Sequence, residues 1–412
     1  MAKKTNNSSS CSFCGRGEAE VNMLISGISG YICDTCSNQA HEIVAVTIKE
    51  NKAVPDINFD TLPKPREIKE FLDQYIIGQD DAKRYLSVSV YNHYKRILQK
   101  VLSDDVEIEK SNIIMVGATG TGKTLLARTI AKLLKVPFTI VDATVLTEAG
   151  YVGEDIESIL TRLLQVADYD VAAAERGIVF IDEIDKIARK SDNPSVTRDV
   201  SGEGVQQGLL KLLEGSVINV PPQGGRKHPE QKMIQVNTKN VLFVCGGAFD
   251  GIERKIAQRL NTRVVGYSAK AKNQNIDHSN MLQYITPTDL KSFGLIPEII
   301  GRLPILTYLE PLDRDALLQI LTEPKNSIIK QYEKLFSIDN IKLTFDKDVY
   351  EYIVDKAVEF KLGARGLRSI VETIMIDAMF HSPSENKKKI NITYKYAVEQ
   401  FEKSDIHSLR IA

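Results

Sequence analysis

The sequence lacks the features that mark membrane, secreted or strongly charged proteins. None of its apolar runs approaches the roughly 18 residues that a transmembrane helix needs. Lys and Arg total 53 against 54 Asp and Glu, so the net charge of -1 provides no overall attraction to nucleic acid or to an anionic membrane. The polar N-terminal segment has no apolar stretch of the kind found in signal peptides. We therefore expect a cytoplasmic protein with no specific nucleic-acid partner and no membrane partner.

The chain is long enough for two or three domains, since its 412 residues exceed the length of about 150 that is typical of one domain. Composition changes predict four segments. They are a cysteine-bearing module at residues 1–50, a proline-containing linker at 51–66, a large α/β domain at 67–310 and a small, mainly α domain at 311–412. In the linker Pro55, Pro63 and Pro65 are expected to discourage helix and strand alike.

Short apolar runs alternate with helical patterns in the large domain, as is typical of parallel strands buried between helices. The runs lie at residues 113–116, 138–141, 178–181 and 241–244. A helix is expected to begin near Glu154, and the residues Ile156, Ile159, Leu160, Leu163 and Leu164 share one face at helical spacing. The fold class is therefore α/β with a mostly parallel sheet.

Four of the five cysteines form two Cys-x2-Cys pairs, Cys11 with Cys14 and Cys33 with Cys36. This spacing lets two tight turns present four thiolates tetrahedrally to one Zn²⁺. An iron centre, two redox pairs or disulfides are alternatives, but the cytoplasmic prediction and the absence of a βαβ pattern here favour zinc. Four protein ligands leave no open position, so the zinc is expected to be structural. Cys245 is expected to be a small core residue.

A phosphate-binding loop follows the first apolar run and precedes a helical pattern. The motif G-x-x-x-x-G-K-[ST] is matched by Gly117-Ala118-Thr119-Gly120-Thr121-Gly122-Lys123-Thr124. In such a loop backbone N–H groups surround the phosphates, Lys123 reaches the β and γ oxygens, and Thr124 offers its hydroxyl to Mg²⁺. The alternative is a chance glycine-rich turn, which the strand and helix on either side disfavour.

A second element ends in two carboxylates, Asp182 and Glu183, directly after the apolar run at 178–181. Asp182 is expected to bind the Mg²⁺ shell, and Glu183 to orient or deprotonate the attacking water. The alternative is that the pair caps the segment that begins at Ile184. Because the phosphate loop requires a metal partner, we interpret the two elements together as a site of ATP hydrolysis.

These motifs resemble the ClpX family of AAA+ unfoldases, over nearly the whole chain from Cys11 to about Pro383. Longer segments carry the resemblance more specifically than the phosphate loop does. They are Asp73-Gln74-Tyr75-Ile76-Ile77-Gly78-Gln79, Gly150-Tyr151-Val152-Gly153-Glu154-Asp155, Arg198-Asp199-Val200-Ser201-Gly202-Glu203-Gly204-Val205-Gln206-Gln207, Arg226-Lys227-His228 and Gly363-Ala364-Arg365-Gly366-Leu367-Arg368.

The resemblance implies an AAA+ P-loop ATPase core, an N-terminal zinc-binding module and a small α-rich domain. It also implies a ring of six identical subunits with ATP and Mg²⁺ between neighbours. Such a ring recognises substrate proteins, with or without adaptors, unfolds them through its pore and delivers them to the ClpP peptidase. Peptidase activity is expected to come from that partner rather than from this chain.

The resemblance also assigns residues around the nucleotide. Ile76 and Ile77 are expected to pack on the adenine, Arg302 to act as the arginine finger toward a neighbour's γ-phosphate, and Arg365 to couple the nucleotide to the small domain. A planar and permanently charged guanidinium suits phosphate oxygens. From the sequence alone, exposed ion pairs are the alternative for both arginines.

Three segments are expected to contact substrate. By resemblance Tyr151, Val152 and Gly153 form the loop that grips polypeptide in the pore, although a hydrophobic staple against the following helix is an alternative. Arg226-Lys227-His228 resembles the loop at the pore entrance, with a merely solvated basic loop as the alternative. Arg198 is also assigned to the pore.

The docking tripeptide departs from the family pattern. The family usually carries Ile-Gly-Phe in the loop that docks on ClpP, and this chain has Val265, Gly266 and Tyr267 after a loop that is shorter. Protease docking is therefore expected at these residues with altered anchors.

Two other function classes fit part of the pattern. A DNA-acting AAA+ ATPase would also combine zinc and phosphate loops, but the near-zero net charge and the apolar-aromatic pore loop disfavour it. An assembly chaperone that only binds ATP is disfavoured by Glu183 beside Asp182.

Overall fold

The computed structural model of the chain describes residues 10–51, 58–99, 106, 108–147, 154–188, 202–221, 233–262, 277, 280–385 and 388–403. The chain divides into two compact units, Met1–Asp56 and Ile57–Ala412. Across the described ranges, no helix is both long enough and apolar enough to cross a membrane.

The first unit is a short hairpin followed by a helix. Strands β1 (Leu24–Ser26) and β2 (Tyr31–Cys33) are antiparallel, and helix α1 (Asp34–Asn51) follows directly. Two cysteines therefore lie at the junction of the hairpin and the helix, Cys33 at the end of β2 and Cys36 in the first turn of α1.

The second unit contains the remaining described elements. Its helices are α2 (Pro65–Asp73), α3 (Asp80–Leu98), α4 (Lys123–Leu134), α5 (Ser158–Val166), α6 (Val171–Ala174), α7 (Glu203–Glu214), α8 (Ile252–Thr262), α9 (Pro287–Phe293), α10 (Pro297–Gly301), α11 (Arg314–Thr322), α12 (Ile328–Ile338), α13 (Lys347–Glu359), α14 (Gly363–His381) and α15 (Tyr394–Lys403). Its strands are β3 (Ile113–Val116), β4 (Phe138–Asp142), β5 (Leu146–Thr147), β6 (Glu154–Asp155), β7 (Ile178–Asp182), β8 (Val217–Val220), β9 (Ile234–Asn237), β10 (Leu242–Gly247), β11 (Ile305–Tyr308), β12 (Lys342–Phe345) and β13 (Lys389–Ile392).

A parallel sheet lies at the centre of this unit. Its strand order is β11-β3-β10-β7-β4, and every neighbouring pair is parallel. The four strands predicted from the apolar runs are present, and β11 is added at the edge beside β3. Because the strands run in one direction, the carboxyl ends of β3, β10 and β7 meet at one edge of the sheet. The α/β prediction is confirmed, and this edge carries the site described below.

Successive residues of the central strands enter two hydrophobic layers, one on each face of the sheet. Along β3, Ile114 and Val116 belong to the layer that includes α5, α7 and α8, whereas Ile113 and Met115 belong to the layer that includes α2, α3 and α4. All four side chains are fully buried. Burial on both faces explains why the strands appear in the sequence as continuous apolar runs.

The C-terminal region is mainly helical, as predicted. Helices α11 to α15 enclose a third buried cluster, and the short parallel pair β12 and β13 packs with them. An apolar stripe at helical spacing on α14 packs in this cluster: Leu367, Ile370, Val371 and Ile374 are inaccessible to solvent, and Ala378 is partly buried.

Two local predictions are wrong. Helix α5 begins at Ser158 rather than near Glu154, because Glu154 pairs in β6 with β5 and its carboxylate binds the Arg162 guanidinium at 2.5 Å. Pro65, expected to discourage helix, begins α2. The first position of a helix suits proline because the N–H there needs no partner within the helix. The domain boundaries stay a prediction.

Candidate functional site

The phosphate loop connects β3 to α4 at the carboxyl edge of the sheet. Gly120 and Gly122 have φ of 85° and 105°, a left-handed conformation in which a side chain is strained. Helix α4 begins directly after Gly122, so the first N–H groups of the helix point toward the loop. The loop geometry therefore fits an anion held by backbone donors at a helix N-terminus.

Lys123 lies under this loop and is 8% exposed. Its Nζ donates hydrogen bonds to the carbonyl oxygens of Gly117 at 2.5 Å and Ala118 at 3.0 Å. Burial lowers the pKa of Lys123, a shift that the nearby Asp182 opposes. The ammonium is therefore aimed at the inside of the loop.

Thr124 and Asp182 bring the two sequence motifs together. The Thr124 Oγ1 donates a hydrogen bond of 3.2 Å to Asp182 Oδ2. A hydroxyl and a carboxylate side by side at the end of a phosphate loop are the ligand types that Mg²⁺ prefers. The predicted magnesium pair, Thr124 and Asp182, is thus adjacent in the fold and fits this ion chemically.

Glu183 follows β7 in an unusual conformation. Its φ is 56°, the left-handed region, and its N–H donates to Asp182 Oδ1 at 3.0 Å. It occupies the N-cap position of the turn Ile184–Ile187, but its side chain makes no capping hydrogen bond. The capping alternative is therefore disfavoured. The exposed carboxylate instead lines the cavity over the phosphate loop.

This cavity has a volume of about 670 Å³ and lies between the sheet edge and the C-terminal helices. Arg365 and Arg368 line it from α14, together with Gln331 from α12. The first turn of α14 lies close to the phosphate loop, because a Cβ atom at Gly120 would be 3.9 Å from the Arg365 backbone nitrogen. Arg365, which is predicted to couple the nucleotide to the small domain, and the phosphate loop therefore line the same cavity.

Several lining residues were missed by the sequence reasoning. Asp185 is 6% exposed, and its Oδ1 accepts a hydrogen bond of 3.1 Å from the Ala248 N–H after β10. Asp250 and Tyr75 also line the cavity. For Asp185 a signal was present, since it belongs to the acidic cluster that directly follows β7. Tyr75 stands in the motif at residues 73–79 but had no assigned role, and only proximity in the fold identifies Asp250.

The predicted adenine contacts Ile76 and Ile77 are not among the residues that line the cavity, whereas the adjacent Tyr75 is. Ile76 is 6% exposed and packs in the layer under β3, and Ile77 is half-buried. The Ile76 carbonyl accepts a hydrogen bond of 2.7 Å from Lys83 Nζ. The Gln79 side chain pairs with both backbone groups of Glu310, accepting from its N–H at 2.7 Å and donating to its carbonyl at 2.9 Å.

Arg302 lies at the opposite end of the strands, beside the amino end of β3. Its carbonyl accepts a hydrogen bond of 2.9 Å from Asn112 Nδ2, and Asn112 directly precedes β3. The phosphate loop begins at the other end of β3 with Gly117, about 16 Å away for five extended residues. The guanidinium pairs with Glu214 at 3.1 Å, so the ion pair that was the alternative is present.

The four predicted zinc ligands converge in the first unit. The sulfur atoms of Cys11, Cys14, Cys33 and Cys36 all lie within 4.8 Å of one another. Cys14 and Cys33 are 3.7 Å apart, too far for a disulfide and close to the edge of about 3.8 Å in a tetrahedron with zinc–sulfur bonds of about 2.3 Å. The Cys11 sulfur also accepts a hydrogen bond from the Cys33 N–H at 3.3 Å, which orients a thiolate ligand.

The ionisation of these thiols also fits a metal cation. Burial raises the pKa of Cys11, but backbone N–H groups, first that of Cys14, outweigh it and hold the pKa at about 6. The side chain of Cys14 raises the pKa of Cys36 to about 12. Four thiolates this close repel one another, and a divalent cation at their centre removes the penalty. The donor set therefore fits Zn²⁺. Cys245 is fully buried within β10, as expected of a core residue.

Four of the predicted segments lie outside the described residues. They are Tyr151-Val152-Gly153, Arg198, Arg226-Lys227-His228 and Val265-Gly266-Tyr267.

Family comparisons match both units. The AAA domain (Cdc48 subfamily) matches residues 108–306, the ClpX C4-type zinc finger matches residues 9–45, and the C-terminal, D2-small domain of ClpB protein matches residues 312–395.

Curated relatives match over almost the full chain. The "ATP-dependent Clp protease ATP-binding subunit ClpX" of Bacteroides fragilis is 74% identical over 415 residues and covers 100% of both chains. The protein of the same name from Bacteroides thetaiotaomicron is 76% identical over 405 residues, 98% of each chain. That from Porphyromonas gingivalis is 72% identical over 399 residues, 96% of this chain and 97% of its own.

Proposed function

This chain belongs to the ClpX family of AAA+ ATPases, and on that premise we propose that it is an ATP-driven protein unfoldase that works as a ring of six identical subunits. The ring unfolds substrate proteins through its pore and passes them to the ClpP peptidase in the cytoplasm. One observation carries the proposal. The proposed hydrolytic residues Thr124, Asp182 and Glu183 lie at the carboxyl ends of the strands, whereas Arg302 lies at the amino end of β3.

We assign the hydrolytic roles by geometry. The loop N–H groups and Lys123 hold the phosphates of ATP, and Thr124 and Asp182 hold the Mg²⁺ that neutralises their charge. Glu183, exposed in the cavity and turned away from its strand, orients the attacking water and takes its proton. Arg365 contacts the nucleotide from α14 and so couples its state to the C-terminal helices.

Arg302 acts on a neighbouring subunit. It cannot meet the phosphates bound by its own chain, because its backbone is held at the amino end of β3 by Asn112. A guanidinium supplied from outside the site stabilises the charge that develops during phosphoryl transfer. Hydrolysis then requires an assembled ring, which links turnover to the arrangement of subunits around the pore.

Substrate contacts are proposed at segments outside the described residues. Tyr151, Val152 and Gly153 grip the polypeptide with bulk and apolar surface, which suits a substrate of arbitrary sequence. The segment Arg226-Lys227-His228, and Arg198, receive substrate at the pore. Support for these roles is the resemblance carried by the motifs themselves.

Docking on ClpP is proposed at Val265, Gly266 and Tyr267. Relative to Ile and Phe, Val removes one methylene worth about 0.8 kcal/mol of burial, and Tyr adds a hydroxyl that costs about 1–3 kcal/mol if it is buried without a partner. Six loops bind together, so each deficit is multiplied by avidity. We therefore expect this chain to pair best with the ClpP of its own organism.

Loss of fluorescence from a folded, tagged fluorescent protein tests the motor function. The purified chain with ATP and Mg²⁺ should abolish the signal, and the Glu183→Gln chain under the same conditions should leave it unchanged. The Tyr151→Ala chain should hydrolyse ATP at nearly the parental rate but unfold the substrate more slowly. A signal that persists with the parent chain, together with ATPase stimulated by DNA, would instead favour a DNA-acting ATPase.

A further inference from the structure

A buried amide ties the Arg302 backbone to the end of helix α7. Asn112 is 1% exposed, and its Nδ2 donates to the carbonyl of Leu213 at 3.2 Å as well as to that of Arg302 at 2.9 Å. Its Oδ1 accepts from the Phe243 N–H in β10 at 3.3 Å. One side chain therefore holds two separate backbone segments against the base of the central sheet.

The two segments carry oppositely charged side chains. Glu214 directly follows Leu213 and is the last residue of α7, and its Oε1 lies 3.1 Å from Arg302 Nη2. The C-terminal end of a helix attracts a cation, so the end of α7 and the Glu214 carboxylate act in the same direction on Arg302. Asn112 holds the backbones of the two segments together, and this sets the distance between Glu214 and Arg302. The two side chains therefore do not have to find each other as independent surface side chains would.

The ion pair contributes little to folding. The side chains of Arg302 and Glu214 are 51% and 40% exposed, and pairs exposed to this extent have small effects on stability. An unpaired arginine, however, samples many rotamers, and a guanidinium that is already oriented loses less entropy when it meets a phosphate. We therefore expect the ion pair to lower the free energy of the transition state for ATP hydrolysis and to change the stability of the fold little.

We propose that Glu214 is a positioning residue that orients the Arg302 guanidinium toward the nucleotide site of the neighbouring subunit. Asn112 fixes the backbone from which the arginine extends. This inference rests on the proposed role of Arg302 across the subunit boundary. Glu214 contacts the arginine and not the nucleotide, so it acts through Arg302 alone.

Steady-state ATPase measurements on assembled protein test the orientation. Glu214→Ala should lower kcat about fivefold with little change in KM for ATP, the size expected of an exposed charge pair acting only in the transition state. Glu214→Gln should retain more activity than Glu214→Ala, because its amide oxygen still accepts from Arg302. Glu351→Ala is the matched control, since Glu351 forms an equally exposed pair with Arg314 in the C-terminal region. That control should keep the parental kcat.

Mixed rings test whether the effect crosses the subunit boundary. Glu183→Gln chains are expected to hydrolyse ATP at least about 10²-fold more slowly, but they carry an intact Glu214 and Arg302. Mixing them with Glu214→Ala chains should raise the rate per Glu214→Ala chain, because some of its sites now receive an oriented arginine. Glu183→Gln chains that also carry Arg302→Ala should give no such rise.

The outcomes separate this inference from the function on which it rests. An unchanged kcat in Glu214→Ala overturns the positioning role and leaves the arginine finger intact. The same conclusion follows if kcat falls in Glu214→Ala and mixing does not restore it, although the same mixing rescues Arg302→Ala. Parental turnover in Arg302→Ala itself would overturn both.

Discussion

Thr124 and Asp182 are 58 residues apart in the chain, yet the hydroxyl of one donates a hydrogen bond of 3.2 Å to the carboxylate of the other. The contact exists because β3 and β7 run parallel on either side of β10 and end at the same edge. It joins the phosphate loop to the acidic strand end, and it sets the geometry on which the following predictions depend.

Replacement of Asp182 by Asn should raise the Mg²⁺ concentration needed for half-maximal ATPase about tenfold, since the amide keeps the shape and the Thr124 contact but loses the charge that binds the cation. A Mg²⁺ titration of initial rates measures this. The Asp313→Asn chain, altered at an exposed helix cap that does not line the cavity, serves as the control. Identical Mg²⁺ curves for parent and Asp182→Asn would exclude Asp182 as a metal ligand.

Replacement of Glu183 by Gln should slow hydrolysis by a factor of about 10² or more while ATP still binds, because the phosphate contacts remain and only the base is lost. Binding of a fluorescent ATP analogue and release of phosphate are measured on the same sample. Glu253→Gln, an exposed position on α8, should behave as the parent does. A parental hydrolysis rate in Glu183→Gln would assign the proton transfer to another residue.

Loss of one thiolate should empty the metal site without stopping the ATPase. We expect Cys14→Ala to contain much less than one zinc per chain and to lose the fold of the first unit, since the metal contributes a large share of folding energy in so small a module. Basal ATP hydrolysis should persist, because the hydrolytic residues lie in the second unit. Zinc is measured by elemental analysis. Cys245→Ala should keep its zinc, and zinc retained by Cys14→Ala would contradict a four-cysteine site.

Lys110 should make stability depend on pH. Burial, with the charge of Arg96, lowers its pKa to about 7, although its Nζ donates to the Thr238 carbonyl at 2.9 Å. Between pH 7 and the ordinary lysine pKa, the unfolded chain then binds more protons than the folded one. The unfolding free energy of the parent should therefore rise with pH relative to Lys110→Met, by at most about 1.4 kcal/mol per pH unit.

Urea titrations of the two chains from pH 6.5 to 9.5 measure that difference. His93 does not interfere, because both chains carry it and burial lowers its folded-state pKa to about 3, so that its contribution cancels in the difference between the chains. A constant difference between the chains would mean that Lys110 keeps its ordinary pKa in the folded protein.

Local motifs were recoverable from the sequence because each satisfies a short-range physical requirement. The phosphate loop needs left-handed backbone at Gly120 and Gly122, and the zinc site needs two cysteine pairs whose members are separated by two residues. Strands buried on both faces must be apolar throughout, which made the central sheet visible. The edge strand β11 was missed because Thr307 and Tyr308 interrupt its apolar run.

Only the tertiary structure decided which distant residues meet. Arg365 reaches the phosphate loop because α14 begins beside Gly120, and Arg302 is kept away from it because Asn112 holds it at the other end of β3. No sequence pattern records these distances, since each depends on how whole elements pack. Residue types and spacing therefore determined the chemistry of the ATP and zinc sites, whereas packing of the sheet and helices decided that Arg302 lies at the end of β3 away from the phosphate loop, the placement on which its proposed role toward another subunit rests.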